Sequence, residues 1–240
     1  MLTEAEEVIH ARTAIACEAA TGLPGTFSAW REDGLLAVLA TAPELRFLRT
    51  ISGVTEGNLP SAIRLAGASC WDGDPPTLVL PAGLNPAGLV PDGVRPIAIL
   101  PLTGLAASDA DADVDDSPDI DVFLRVLLDG YESGGVVTEF IAAEHRDPRI
   151  RRSLLVHDGV PISAAALSPH GEGVLLGGSA TPRAHRDKGA QARLMAHGLA
   201  AAAREGRRFA VATAVEGSPS LSNLRRAGAQ VHLRQAFRLG

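Results

Sequence analysis

The chain has 240 residues, 46% of them hydrophobic and 21% charged, with a net charge of −6 and two cysteines. That balance suits a water-soluble globular protein long enough for one large or two small domains. No apolar run spans a bilayer, the acidic start MLTEAEEVIH lacks the parts of a signal peptide, and Cys17 and Cys70 have no metal-type spacing, so a cytoplasmic protein with free thiols, no metal and no membrane contact is expected.

The charge is unevenly spread. Residues 149–240 hold 14 of the 22 basic residues but only 5 of the 28 acidic ones. A basic C-terminal part suits a ligand that carries phosphates, and equally suits packing against an acidic neighbour. Nucleic acid is disfavoured, because Phe209 and Phe237 are the only aromatic residues beyond 149 on which bases could stack.

In chain order, residues 4–20 place Val8, Ile9, Ala11, Ala16 and Ala19 behind Glu4, Glu6 and Glu7, which predicts an N-terminal helix. Residues 34–40 and 45–54 read as strands, 59–68 as a helix, and 77–80 and 97–102 as strands; the proline and glycine of 73–96 predict turns. Residues 106–121, AASDADADVDDSPDID, read as an acidic, solvated linker. A calcium loop starting at Asp109 would need glycine at Val114 and glutamate at Ile120, so that reading fails. Ser117 is the expected cap of a following helix with Phe123, Val126 and Leu127 inward.

Beyond Arg151 the pattern is strand 153–157, an Asp158-Gly159 hairpin turn, strand 160–167, a His170-Gly171 turn and strand 173–181. Then comes SATPRAHRDKGAQA (179–192), an extended end, a basic turn and a helix opening at glycine. A helix start of that kind offers unpaired N–H groups and a positive dipole end to an anion. Lys188, the only lysine in the chain, lies in this turn. The helix to Glu205 has Ala192, Met195, Leu199 and Ala202 on its apolar stripe and stops at Gly206. A short buried strand follows at 208–213, then a turn at 217–220 with Ser218 or Ser220 as a helix cap, and a last strand at 231–239.

Over residues 119–240 this order resembles the GNAT (GCN5-related N-acetyltransferase) superfamily. The stretch from Arg186 to Gln191 is similar to that family's R/Q-x-x-G-x-G/A turn, with Gln191 in place of the last Gly/Ala, and 223–228 is similar to its N-x-x-R-x-G ending, with Ala229 where phenylalanine is usual. The resemblance implies an α/β (α+β) fold, a mixed and mostly antiparallel sheet flanked by helices. The N-terminal half echoes a degenerate unit without the turn. The expected division is therefore a degenerate unit at 1–105, a linker at 106–118 and an acetyltransferase domain at 119–240, two tandem units in all.

The resemblance further implies acetyl-CoA as co-substrate and acetyl transfer to a primary amine of a small molecule or protein. The alternative is a non-catalytic acyl-CoA-binding or regulatory protein. A homodimer is compatible with either. Carried over by position, Ser179, Ala180 and Thr181 would pair with the pantetheine arm; the N–H groups of Lys188, Gly189, Ala190, Gln191 and Ala192 would hold the pyrophosphate, with Arg186 in support; and Asn223 would lie near the cofactor's far end. Glycine at 189 lets backbone approach phosphate closely. Candidate bases are Glu139, Glu144, His170, Glu172 and Glu216, with Glu172 preferred because it opens the strand that leads to the cofactor. The family's tyrosine near its last helix is absent: Leu224 lies there, Tyr131 is the only tyrosine, and His232 is the remaining substitute.

Overall fold

The computed structural model describes residues 1–104 and 111–240. The calls that fall on 105–110, among them the start of the linker and Asp109, lie outside the described residues. The chain forms two compact units: residues 1–99 with 213–240, and residues 100–212. This differs from the expected division. Residues 213–240 belong with the first unit, because their strand pairs with strands of the N-terminal half.

The first unit opens with α1 (Leu2–Ala19), followed by β1 (Phe27–Glu32) and β2 (Leu35–Ala40). Those two strands form a hairpin through Asp33 and Gly34, both at positive φ, the backbone that a two-residue turn of this hand requires. A 3-10 turn at Pro43–Leu48 then leads to β3 (Thr50–Ser52), so the strand expected over 45–54 is reduced to three residues. Proline starts that turn, and the buried Arg49 guanidinium holds its end by donating to the Ala40 and Asp74 carbonyls at 2.7–3.1 Å. Next come α2 (Leu59–Ala66), β4 (Thr77–Leu80) and β5 (Leu89–Pro101). β5 runs through Pro91 and Pro96, a stretch that proline alone marks as turn.

The C-terminal elements of this unit are α6 (Pro219–Arg226) and β11 (Gln230–Leu239). Ser218 caps α6 through its hydroxyl, as expected. β11 lies antiparallel between β4 and β5, giving the order β1-β2-β3-β4-β11-β5. The core gathers Leu35, Ile51, Trp71, Leu78, Leu80 and Phe237, with Trp30 tilted against Trp71 at 5.4 Å. On α1, Glu6 forms a buried ion pair with Arg234 of β11 at 2.9 Å. Burial pushes the Arg234 guanidinium below its usual value, and Glu6 opposes that shift.

The second unit starts with β6 (Val114–Asp115), then α3 (Ile120–Tyr131) and α4 (Gly135–Arg146). Asp119, not Ser117, caps α3: its carboxylate accepts from the Asp121 and Val122 N–H groups at 3.0 Å. Phe123, Leu124, Val126 and Leu127 bury the inner face of α3. Strands β7 (Arg151–His157), β8 (Val160–His170) and β9 (Gly173–Ala180) form a meander, turning at Asp158-Gly159 with positive φ at both residues. Helix α5 (Ala190–Arg204) connects β9 to β10 (Phe209–Thr213). The order is β10-β9-β8-β7-β6, antiparallel except for the β9/β10 pair.

The acidic stretch is mostly exposed, as expected of a solvated segment, yet it is not a free linker. From 111 on it is tied down: β6 pairs with β7, Asp111 and Asp113 bind Arg193 of α5, and Asp116 binds both His197 and Ser153 at 2.7–3.0 Å. Arg193 and the neighbouring Asp113 N–H hold the Asp111 carboxyl below the usual carboxylate range. Composition reveals the charge of such a segment but not the basic helix that lies against it.

Candidate acyl-CoA site

β9 and β10 pair in parallel over three registers only, Phe209↔Gly173, Ala210↔Val174 and Val211↔Leu175. Beyond Leu175, β9 continues to Ala180 without β10 beside it, so the two strands part. The backbone edge of β9 that faces away from β8 is released there from strand pairing. On its other edge, β9 carries a bulge: Ala164↔Ala180 and Ala166↔Gly177 leave Gly178 and Ser179 opposite the single residue Ala165. Gly178 has φ +60°, a conformation that favours glycine. Parting strands with a bulged edge offer backbone groups to an extended ligand.

At the end of β9, Ser163 organises the backbone. Its hydroxyl donates to the Ala180 carbonyl at 3.1 Å and lies 2.8 Å from the Thr181 hydroxyl. A 3-10 turn at Arg183–His185 then brings the chain round to α5. Asp187 and Gly189 both have positive φ, +64° and +77°, and Gly189 is the N-cap of α5 with no side chain capping it. The turn therefore leads directly onto the positive end of a 15-residue helix. Nothing lies within 4 Å of the position of a Cβ on Gly189, so the space beside the turn is open. Ala190 anchors the first turn inward, packing with Leu194, Leu155 and Ile162.

The expected cofactor residues thus fall into two groups. Ser179 to Thr181 and Arg186 to Ala192 are brought to one end of β9 and the start of α5, in the second unit. Asn223 lies in α6 of the first unit.

Arg186 makes contacts that the sequence did not predict. Its guanidinium donates to the Thr181 carbonyl at 3.0 Å, to the Gly130 carbonyl at 3.0 Å and to the Glu132 carboxylate at 2.7 Å. It clamps the end of α3 onto the end of β9 and the turn. Gly130 makes that approach feasible, since a Cβ there would lie 2.7 Å from Ala180 Cβ.

Glu172 does not fit the role of base. It pairs with Arg208 and lies one residue before Gly173, where β9 and β10 are still joined. From there the strand runs on at about 3.3 Å per residue, which puts Glu172 up to roughly 20 Å from the bulge at Gly178–Ser179. His170 pairs with Gly173 and is removed for the same reason. Being near β9 in sequence said nothing about which end of β9 opens. Glu139 and Glu144 lie on α4, and Glu216 follows β10 in the first unit.

His145, at the end of α4, has no counterpart among the expected residues. It is buried, its Nδ1 lies 2.8 Å from the Ile141 carbonyl, and its ring tilts against Phe123 at 5.8 Å. A Cβ built on Gly178 would lie 2.1 Å from its Nε2. The only sequence signal for this contact is a glycine inside a strand.

A cavity of about 580 Å³ lies elsewhere in this unit, lined by Asp116, Ser153, Leu167, His197, Ala201 and Glu205, toward the C-terminal half of α5. Among the described residues, no three His, Cys, Asp or Glu side chains are grouped to hold a metal ion, and no helix is long and apolar enough to cross a membrane.

No protein-family model matches the chain, and no curated protein matches it. Solved structures do. A GCN5-related N-acetyltransferase from Kribbella flavida is 18% identical with a TM-score of 0.57, over 94% of this chain and 96% of that one. A GNAT-family acetyltransferase from Novosphingobium aromaticivorans is 17% identical with a TM-score of 0.54, over 88% and 91%. A tandem GNAT protein of the clavulanic acid biosynthesis pathway is 14% identical with a TM-score of 0.52, over 98% and 94%. The fold is therefore the GNAT fold, with mixed and mostly antiparallel sheets flanked by helices, and the tandem likeness agrees with two units.

Proposed function

We propose that the chain is an N-acetyltransferase that transfers an acetyl group from acetyl-CoA to a primary amine, with its cofactor site in the second unit. The observation that carries this reading is the parting of β9 from β10 beside a turn of two left-handed residues that opens an uncapped helix. The residues present fit such a ligand. The edge of β9 at Ser179–Thr181 suits an amide-bearing pantetheine arm, and the 188–192 backbone with Lys188 suits a pyrophosphate.

Acetyl-CoA supplies an activated acyl group on sulfur. The chain's part is to hold it and to stabilise the negative charge that develops on the carbonyl oxygen when the amine attacks. The bulged backbone at Gly178–Ser179 suits that task, because a bulge turns backbone N–H groups out of the ladder. Positioning along β9 supplies the rest of the advantage. With Leu224 where the family has tyrosine, no phenol on α6 protonates the departing thiolate.

The first unit supports only a degenerate role. The loop from Gly53 to α2 is filled by Asn58, whose amide accepts from the Thr55 N–H at 2.7 Å and donates to the Gly53 carbonyl at 3.1 Å. Pro60, in the first turn of α2, lacks an N–H, and Glu56 adds negative charge. These features disfavour a phosphate there.

Leu224 favours a second reading, that of a non-catalytic acyl-CoA-binding protein. Calorimetry with CoA tests both readings: one CoA per chain is expected. No binding overturns both, and two sites overturn the degenerate first unit. Thiol release from acetyl-CoA over a panel of amines then separates enzyme from binder.

A further inference from the structure

We propose that His145 is a positioning residue for the proposed acetyl transfer: its imidazole is the wedge that holds the β9 bulge open at Gly178. The inference rests on the reading that β9 carries the acyl-CoA. Three observations support it. The position that a Cβ on residue 178 would take is 2.1 Å from His145 Nε2 and 3.0 Å from Cδ2, so the ring fills the space that glycine leaves. The ring is fixed on its other sides: Nδ1 donates to the Ile141 carbonyl at 2.8 Å, Phe123 lies 5.8 Å away, and the side chain is 2% exposed. The bulge lies where the wedge touches, since Gly178 and Ser179 face the single residue Ala165 while their neighbours Gly177 and Ala180 keep register with β8.

The physical consequence is geometric. A bulge turns one or two backbone groups out of the ladder, and their aim depends on what props the strand from below. Without the ring, β9 can settle toward α4, and the backbone donors of 178 and 179 lose their aim. With a side chain at 178, ring and strand compete for one volume. His145 and Gly178 are thus a matched pair, a large group reaching into the place of an absent one. No proton transfer is assigned to His145, whose task is steric.

A double-mutant cycle tests this, read by the Kd of CoA at a temperature where every variant is folded, and by KM and kcat for acetyl-CoA. Gly178→Ala alone should weaken CoA binding roughly tenfold or more, as expected when reacting groups are displaced by about 1 Å. His145→Ala should weaken it to a similar degree. In the His145→Ala background, adding Gly178→Ala should cost less than about threefold, because the clash is gone. His145→Gln, which reaches nearly as deep as Nε2, should restore most of the affinity. Equal effects of Gly178→Ala in both backgrounds would overturn the wedge, as would unchanged CoA affinity in folded His145→Ala. Failure of the wild-type chain to bind CoA would overturn the functional reading, and the wedge's role in transfer with it. In that case the stability cycle from urea unfolding still reports whether the two residues compete for space.

Discussion

The turn at Gly189 offers the sharpest perturbation. Gly189→Glu places a carboxylate at the mouth of α5, where nothing lies within 4 Å to clash with its Cβ. The residue keeps φ near +77°, which costs an L-amino acid about 1–2 kcal/mol of folding stability. That cost is paid equally in the free and bound states, so it barely enters the affinity. The charge does enter it. At about 5 Å and an effective dielectric of about 20, one carboxylate–phosphate charge pair costs roughly 3 kcal/mol. Salt screening lowers this, and every 1.4 kcal/mol is about tenfold, so CoA affinity should fall roughly a hundredfold. Gly189→Ala carries the same backbone strain without charge and should stay within about threefold of wild type. Isothermal calorimetry at low and moderate salt makes the comparison, with circular dichroism to show that the fold persists. Wild-type affinity in Gly189→Glu would refute the argument that a phosphate lies at this helix start, whereas an equal loss in Gly189→Ala would refute the charge argument and assign the loss to the close backbone approach that glycine allows.

Three further outcomes are expected. Glu6→Ala strands the buried Arg234 guanidinium and should cost about 3–5 kcal/mol in urea unfolding, whereas Glu6→Met with Arg234→Met should recover most of it; a loss under about 1 kcal/mol would mean that the pair is solvated. Asp111 has its pKa lowered from 3.8, so its tie to Arg193 is fully stabilising above that value and is lost as pH falls through the lower folded value. Hydrogen exchange at 111–118 should rise in that acid range in wild type, and Asp111→Asn should already show the faster exchange at neutral pH. Arg186→Lys cannot span the Thr181 and Gly130 carbonyls and Glu132 together; it should lower stability by under about 1 kcal/mol yet raise the KM for acetyl-CoA several-fold, and an unchanged KM would separate the clamp from the site.

Where the sequence was legible, a residue type had a single physical use. Asp158-Gly159 announced a hairpin because both positions need positive φ, and Gly189 marked the opening of a helix after a basic turn. Ser218 announced a cap. Where meaning depended on a distant partner, the sequence was silent. Residues 231–239 read correctly as a strand, but nothing local states that it lies between β4 and β5. Only the end of β5 was read as a strand, at 97–102; its first part stayed hidden because Pro91 and Pro96 mimic a turn. The polarity of β9 misled the choice of Glu172, and His145 was invisible because its meaning lies in a glycine on another element.

The location of β11 has a consequence for how the molecule comes into being. During synthesis, residues 1–99 emerge with β4 and β5 lacking the strand that joins them, and they remain so until residues 230–239 have been made. Partners as remote as Arg95 and Arg234 must then find one another, so loop-closure entropy is paid late and the open edges of β4 and β5 are exposed to other chains meanwhile. A fragment of residues 1–105 should accordingly aggregate when expressed alone. A fragment of 119–240 should carry an orphan strand. Supplying residues 213–240 in trans should rescue the first fragment, as a strand donated by a separate peptide.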